Sequence, residues 1–152
     1  MAIALGSNLG DRHLHLDVAA GRLASLLSAF HISSRYDTAP VDVPGPQSTY
    51  LNAAAVGCTA LEPLALLRAL QTIEVERGRE RPYPNAPRTL DLDVILYGDL
   101  VMDGDALTVP HPRFRERAFV LEPLAEIAPD MVDPVTGRSV AELLRLVRSV
   151  RL

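Results

Sequence analysis

Residues 88–97, Arg-Thr-Leu-Asp-Leu-Asp-Val-Ile-Leu-Tyr, constrain this chain more than any other stretch, because their pattern fits a strand. Side chains of an extended chain alternate between faces. Leu90, Leu92, Val94 and Leu96 are therefore predicted on one side, with Asp91, Asp93, Ile95 and Tyr97 on the other. The two carboxylates then share a face, with Cα atoms roughly 7 Å apart. Like charges that close are costly without a cation. A hard divalent metal ligated by oxygen, typically Mg2+ shared with a phosphate, is the natural partner. An isolated Asp-x-Asp is more often a solvent-facing pair, but here Arg88 precedes it by three residues and Arg77, Arg79 and Arg81 gather upstream. That company favours a metal and phosphate site.

A chain of 152 residues with 48% apolar and 22% charged residues is expected to form a single domain over 1–152. It has no apolar run near about eighteen residues and no basic leader, so a soluble, cytoplasmic protein is expected. The single Cys58 has no spacing for a disulfide, zinc or redox chemistry and reads as core. A net charge of −4 argues against general binding to nucleic acid or anionic membranes. All 15 basic residues are Arg, which excludes a phosphate loop or kinase strand built on Lys. Arg offers a planar fork that takes phosphate oxygens in pairs, and Arg113, Arg115 and Arg117 form a second group downstream.

Taken in order, 3–5 reads as a buried strand, followed by a turn at 6–12 in which Asn8 or Asp11 would cap a helix. Leu16, Ala19, Ala20, Leu23, Leu26 and Phe30 recur at helical spacing, leaving His13 and His15 on a solvated face. Residues 32–36 and 50–59 read as strands, separated by a loop rich in Pro and Gly that is long enough to move. Pro63 opens a second helix with Leu66, Ala69, Leu70 and Ile73 on one face, and a second loop leads into Arg88 and the aspartates. The order strand, helix, strand, strand, helix, strand predicts an α+β, ferredoxin-like βαββαβ core. Its antiparallel sheet would have helices packed on its faces, with a C-terminal helical extension. That extension is expected to begin near Ala118, break near Pro123, and resume after a capping box at Ser139 and Glu142.

A Mg2+ pair on Asp91 and Asp93 with arginines on a phosphate tail implies phosphoryl transfer, where positioning and charge neutralisation do most of the work. His111, between two prolines and among arginines, is disfavoured as a cation and could donate to a phosphate; a plain surface histidine is an equal reading. Tyr50, Asn52 and Phe119 offer flat faces and an amide for a planar heterocycle, though such aromatics are more often core. A phosphohydrolase or nucleotidyltransferase with the same metal pair, and a silent binding module, are the other two classes.

Several blocks together carry a resemblance: 6–10 (Gly-Ser-Asn-Leu-Gly), 50–54 (Tyr-Leu-Asn-Ala-Ala), Glu74 with 77–79 (Arg-Gly-Arg), 87–93 (Pro-Arg-Thr-Leu-Asp-Leu-Asp), and 109–111 (Val-Pro-His) with Arg117 and Phe119. In this order they resemble the 6-hydroxymethyl-7,8-dihydropterin pyrophosphokinases over nearly the whole chain. The resemblance implies an ATP-dependent enzyme of folate biosynthesis that moves pyrophosphate to the pterin hydroxymethyl group and releases AMP. By matching position, Asp91 and Asp93 would hold two Mg2+ ions. Arg79 and Arg88 would contact the phosphates and act in catalysis, while Glu74, Arg81, His111 and Arg117 would lie on the ATP side. Tyr50 and Phe119 would sandwich the pterin, Asn52 would bond its edge, and backbone groups around Thr38 and Val41 would assist. Small-molecule substrates only, and a monomer, are expected. The chain departs from the common pattern in having no Trp before the aspartate string, where Tyr83 stands, and in Pro112 and Ala118.

Overall fold

The computed structural model describes residues 1–38, 49–78 and 89–150. In order, the elements are β1 (Ala2–Ser7), α1 (Arg12–Leu26), β2 (Ser28–Ile32), β3 (Tyr36–Thr38), β4 (Tyr50–Cys58), α2 (Pro63–Glu76), β5 (Asp91–Leu96), β6 (Met102–Asp103), β7 (Thr108–Val109), a 3-10 turn (Phe114–Glu116), α3 (Ala118–Ile127) and α4 (Val140–Val150). The main sheet runs β2-β4-β1-β5, with β3 also on β4, and its pairings are antiparallel. This is the strand arrangement of a split β-α-β fold, as the element order predicts.

The sheet is covered on both sides. Ile3, Leu5, Leu51, Ala53, Leu92 and Val94 meet Leu16, Leu23, Leu66, Leu70 and Ile73 of α1 and α2 in one core. Ala2, Ala54, Val56, Ile95 and Leu96 meet Val120, Leu121, Leu124, Leu143 and Leu144 of α3 and α4 in a second. The C-terminal helices thus form the second outer layer. No helix among the described residues is long and apolar enough to cross a membrane.

Local signals act as their chemistry predicts. Asp11, rather than Asn8, caps α1, its side chain accepting from the Leu14 N–H at 3.1 Å. Pro63 opens α2. Ser139 and Glu142 form the reciprocal capping box, with Glu142 N donating to Ser139 Oγ at 3.2 Å and Ser139 N to Glu142 Oε1 at 3.3 Å.

Five expectations are corrected. Phe30 belongs to β2, because α1 stops at Leu26 and the extended Leu27 redirects the chain; Phe30 still packs on the first core, which mimics a longer helix. The expected strand over 32–36 is divided between β2 and β3. Leu96 does not share a face with Leu90, Leu92 and Val94. A register irregularity against β1 places an extra β5 residue there, turning Leu96 into the second core beside Ile95. α3 runs through Pro123 without a break. An interior proline costs ~3 kcal/mol, and burial of Val120, Leu121 and Leu124 outweighs it. Cys58 is exposed, because it ends β4 beyond the part of the sheet that the second helical layer covers.

Candidate functional site

Register across the sheet sets out the site. Gly6 pairs with Asp91 on one side and Asn52 on the other, and Asn52 in turn pairs with Tyr36. The next row holds Asp93, Ala4 and Ala54. Residues paired in register share a face, so Asp91, Asp93, Asn52 and, by alternation along β4, Tyr50 with its partner Thr38 all lie on the side covered by α3. Asp91 and Asn52 stand two strand spacings apart, roughly 10 Å. Between them the floor is small: a Cβ at Gly6 would come within 3.3 Å of Asn52 Oδ1 and 3.7 Å of Tyr50 Cδ1. Gly6 is a site feature that sequence reasoning did not single out by itself, and the signal for it was the 6–10 block.

On the acceptor half of this row, Asn52 is buried and its amide nitrogen donates to Thr38 Oγ1, which fixes the amide. Tyr50 and Phe119 are half-buried, and Phe119 packs against the second core. The Arg117 guanidinium sits 5.6 Å from the Phe119 ring centroid.

On the other half Asp91 is half-buried and Asp93 exposed. Their strand is secured from α2, where buried Glu74 accepts the N–H of Leu92, the residue between them, at 2.8 Å. Glu74 therefore supports the aspartate strand directly. Just upstream, the Thr89 hydroxyl is buried and makes no hydrogen bond among the described residues.

The third contributor is the stretch after the cis Val109-Pro110 bond. His111 is moored by its own N–H to Ile95 O at 2.9 Å. Its Nδ1 accepts the Arg113 N–H at 3.1 Å, which leaves the proton on Nε2. Burial first, then the charges of Arg117 and Arg113, push the His111 pKa down from 6.5 to about 4. At neutral pH it is an uncharged donor. Arg117 caps the start of α3, where burial and Arg113 lower its pKa while Asp93, Glu116 and Asp91 pull it the other way. Among the described residues it is thus a cation near enough to the aspartate pair to feel their charge.

Sequence reasoning grouped Arg113, Arg115 and Arg117 together, and the structure separates them. Arg115 turns away to a fully buried Asp133, with Nε to Oδ2 at 2.5 Å and Nη2 to Oδ1 at 2.9 Å. Arg113 is largely exposed. His15, expected on a solvated face, is half-buried over Gly10 and accepts from Arg77 Nε at 3.0 Å. Burial and Arg77 lower its pKa. Val41, Arg79, Arg81, Tyr83 and Arg88, the second expected loop and most of the first lie outside the described residues, while Asp37 and Thr38, expected to open the first loop, belong to β3.

The donor set suits a hard cation. Among the described residues no group of three or more His, Cys, Asp or Glu side chains could hold a metal by itself, which rules out a closed protein cage there. Two carboxylates on one face match Mg2+, which is commonly bound through one or two carboxylates plus substrate phosphates.

Comparison with known proteins shows the family. The sequence profile of the 7,8-dihydro-6-hydroxymethylpterin-pyrophosphokinase (HPPK) family matches residues 2–129. The 2-amino-4-hydroxy-6-hydroxymethyldihydropteridine pyrophosphokinase of Pseudomonas aeruginosa is 42% identical over 144 residues, covering 93% of this chain and 88% of its own. The protein of the same name from Haemophilus influenzae is 44% identical over 148 residues, covering 94% and 89%. The folic acid synthesis protein fol1 of Schizosaccharomyces pombe is 37% identical over 93% of this chain, which spans only 20% of that longer protein. Wild-type Plasmodium falciparum HPPK-DHPS superposes with a TM-score of 0.73 at 14% identity, covering 97% of this chain and 44% of that one, a likeness of fold. With a profile match along most of its length and relatives above 40% identical, the chain belongs to the 7,8-dihydro-6-hydroxymethylpterin-pyrophosphokinase family.

Proposed function

We propose that this chain transfers pyrophosphate from ATP to the hydroxymethyl group of 6-hydroxymethyl-7,8-dihydropterin, releasing AMP, as one folded unit over 1–152 that works as a cytoplasmic monomer. The observation that carries this reading is the shared sheet face. Asp91 and Asp93 occupy one end of it, Asn52 and Tyr50 the other, and Gly6 and Ala4 lie between. A planar acceptor over Asn52 would place its alcohol toward the phosphates held above the aspartates.

Asp91 and Asp93 would hold two Mg2+ ions shared with the ATP phosphates. Held there, Mg2+ would supply neutralisation of the phosphate charge for in-line displacement at the β-phosphorus. Arg117 adds a fixed positive charge on the same side, and His111 donates from Nε2 to a phosphate oxygen. Arg79, Arg81 and Arg88 would supply further guanidinium forks, with Arg79 and Arg88 acting in catalysis, and Glu74 keeps the aspartate strand in place on the nucleotide side. Tyr50 and Phe119 bracket the pterin, and Asn52, with backbone groups near Thr38 and Val41, reads its polar edge. The attacking alcohol is neutral, and its proton leaves to water or phosphate oxygen, since no described side chain is placed as a base.

The test is AMP formation from ATP and Mg2+, with and without the pterin, for wild type and Asp93→Ala. Acceptor-dependent AMP that falls by more than ~10²-fold in the variant is expected. Phosphate or ADP released without pterin would replace this reading with a phosphohydrolase.

A further inference from the structure

Arg12, the first residue of α1, lies outside the row of site residues yet reaches both segments that carry the acceptor half. Its Nη1 donates to Asp37 Oδ1 at 2.8 Å, to Thr49 O at 2.9 Å and to Thr49 Oγ1 at 2.9 Å. Thr49 Oγ1 closes the ring by donating to Asp37 Oδ1 at 3.0 Å. Asp37 precedes Thr38 and Thr49 precedes Tyr50, and Thr38 and Tyr50 are themselves register partners. One guanidinium nitrogen therefore joins the end of β3 to the start of β4.

β3 has three residues and pairs only with β4 among the described residues, so its own ladder is a weak restraint. Thr38 is the acceptor for the Asn52 amide, and loss of the clasp would free that amide to rotate. The Arg12 and Thr49 bonds also hold the Asp37 carboxyl below its usual range. None of the nucleotide-side groups, Asp91, Asp93, His111 or Arg117, is on β3 or β4.

We infer that Arg12 is a positioning residue for the acceptor, acting through Asp37 and Thr49 to hold Thr38, Tyr50 and Asn52 in their working arrangement. This rests on the acceptor reading proposed above. Calorimetric titration separates the two ideas, using 6-hydroxymethylpterin as one probe and α,β-methylene-ATP with Mg2+ as the other, on wild type, Arg12→Ala, Arg12→Lys and Asp37→Asn. Losing a charge-assisted clasp is expected to weaken pterin binding about tenfold in Arg12→Ala. Nucleotide binding and the melting temperature stay near wild type. Arg12→Lys, which keeps an ammonium donor, recovers part of the loss, and Asp37→Asn reproduces part of it. Unchanged pterin affinity in Arg12→Ala, or equal losses for both probes, overturns the inference alone. A wild type that takes the nucleotide but not the pterin overturns the acceptor reading and the inference with it.

Discussion

His111 and Arg115 show how much a residue's surroundings decide its chemistry. The sequence placed His111 among arginines and left two readings equal; the structure adds an Arg113 N–H on Nδ1 and a pKa near 4. Because this value is depressed, the stabilisation from the neutral ring is complete above the ordinary 6.5 and is lost as pH falls through about 4. The ring thus stays an uncharged donor across pH 5–8, and the pH profile of kcat/KM for ATP should show no limb from it. His111→Ala should lower that parameter about 10–100-fold, the worth of a hydrogen bond to a charged group. His111→Gln, which keeps an N–H donor, should restore part of it, and an equal loss in both variants would refute the donor role. Arg115 and Arg117 are indistinguishable as letters two apart. Only the fold reveals that Asp133 consumes one while the other stays within reach of the aspartates' charge, since that choice depends on a partner 18 residues away.

At the scale of elements, short-range chemistry was legible and long-range pairing was not. The α1 cap, read as Asn8 or Asp11 and made by Asp11, the Pro63 start and the Ser139 box are written within four residues, and each forms. Removing the Ser139 hydroxyl should cost about 1 kcal/mol through α4, so urea unfolding of Ser139→Ala should show a lower midpoint at constant slope. The β5 irregularity could not be read this way, because it depends on how Ala2 and Ile3 of a distant strand meet 94–96. Likewise, Pro123 is tolerated because a buried helical face outweighs a local penalty. The aspartate half of the candidate site was legible because two carboxylates and an arginine crowd into six consecutive residues of the sequence, 88–93. The Arg12 clasp was not, because its three bonds join residues 25 and 37 apart.

For the whole molecule, the site joins a sheet face built before residue 94 to a segment that comes after residue 109, and the second core holds the two together. Asp133 fastens that later segment. It accepts from Arg115 twice, from Val135 N–H at 3.1 Å and from Thr136 Oγ1 at 2.7 Å. Burial raises its pKa, but these donors outweigh it and bring the value down from 3.8 to about 2. This contribution is present above pH 3.8 and disappears as pH falls through about 2. Asp133→Asn should cost about 3 kcal/mol at neutral pH, as expected for a buried pair stripped of one partner. It should also flatten the loss of stability between pH 4 and 2 in acid titrations followed by circular dichroism. A variant as stable as wild type would show that the pair is dispensable.

The bonds from Glu74 to Leu92 N–H and from His111 N–H to Ile95 O have a meaning beyond the site. Both occupy backbone groups on the outer edge of β5, where an unpaired strand would otherwise offer a template to a neighbouring chain. The strand with the most exacting charge pattern is thereby less open to strand addition, while the opposite margin of the sheet is shared by β2 and β3. Sheet-edge association under stress is therefore expected at the β2 and β3 margin rather than at the aspartate edge.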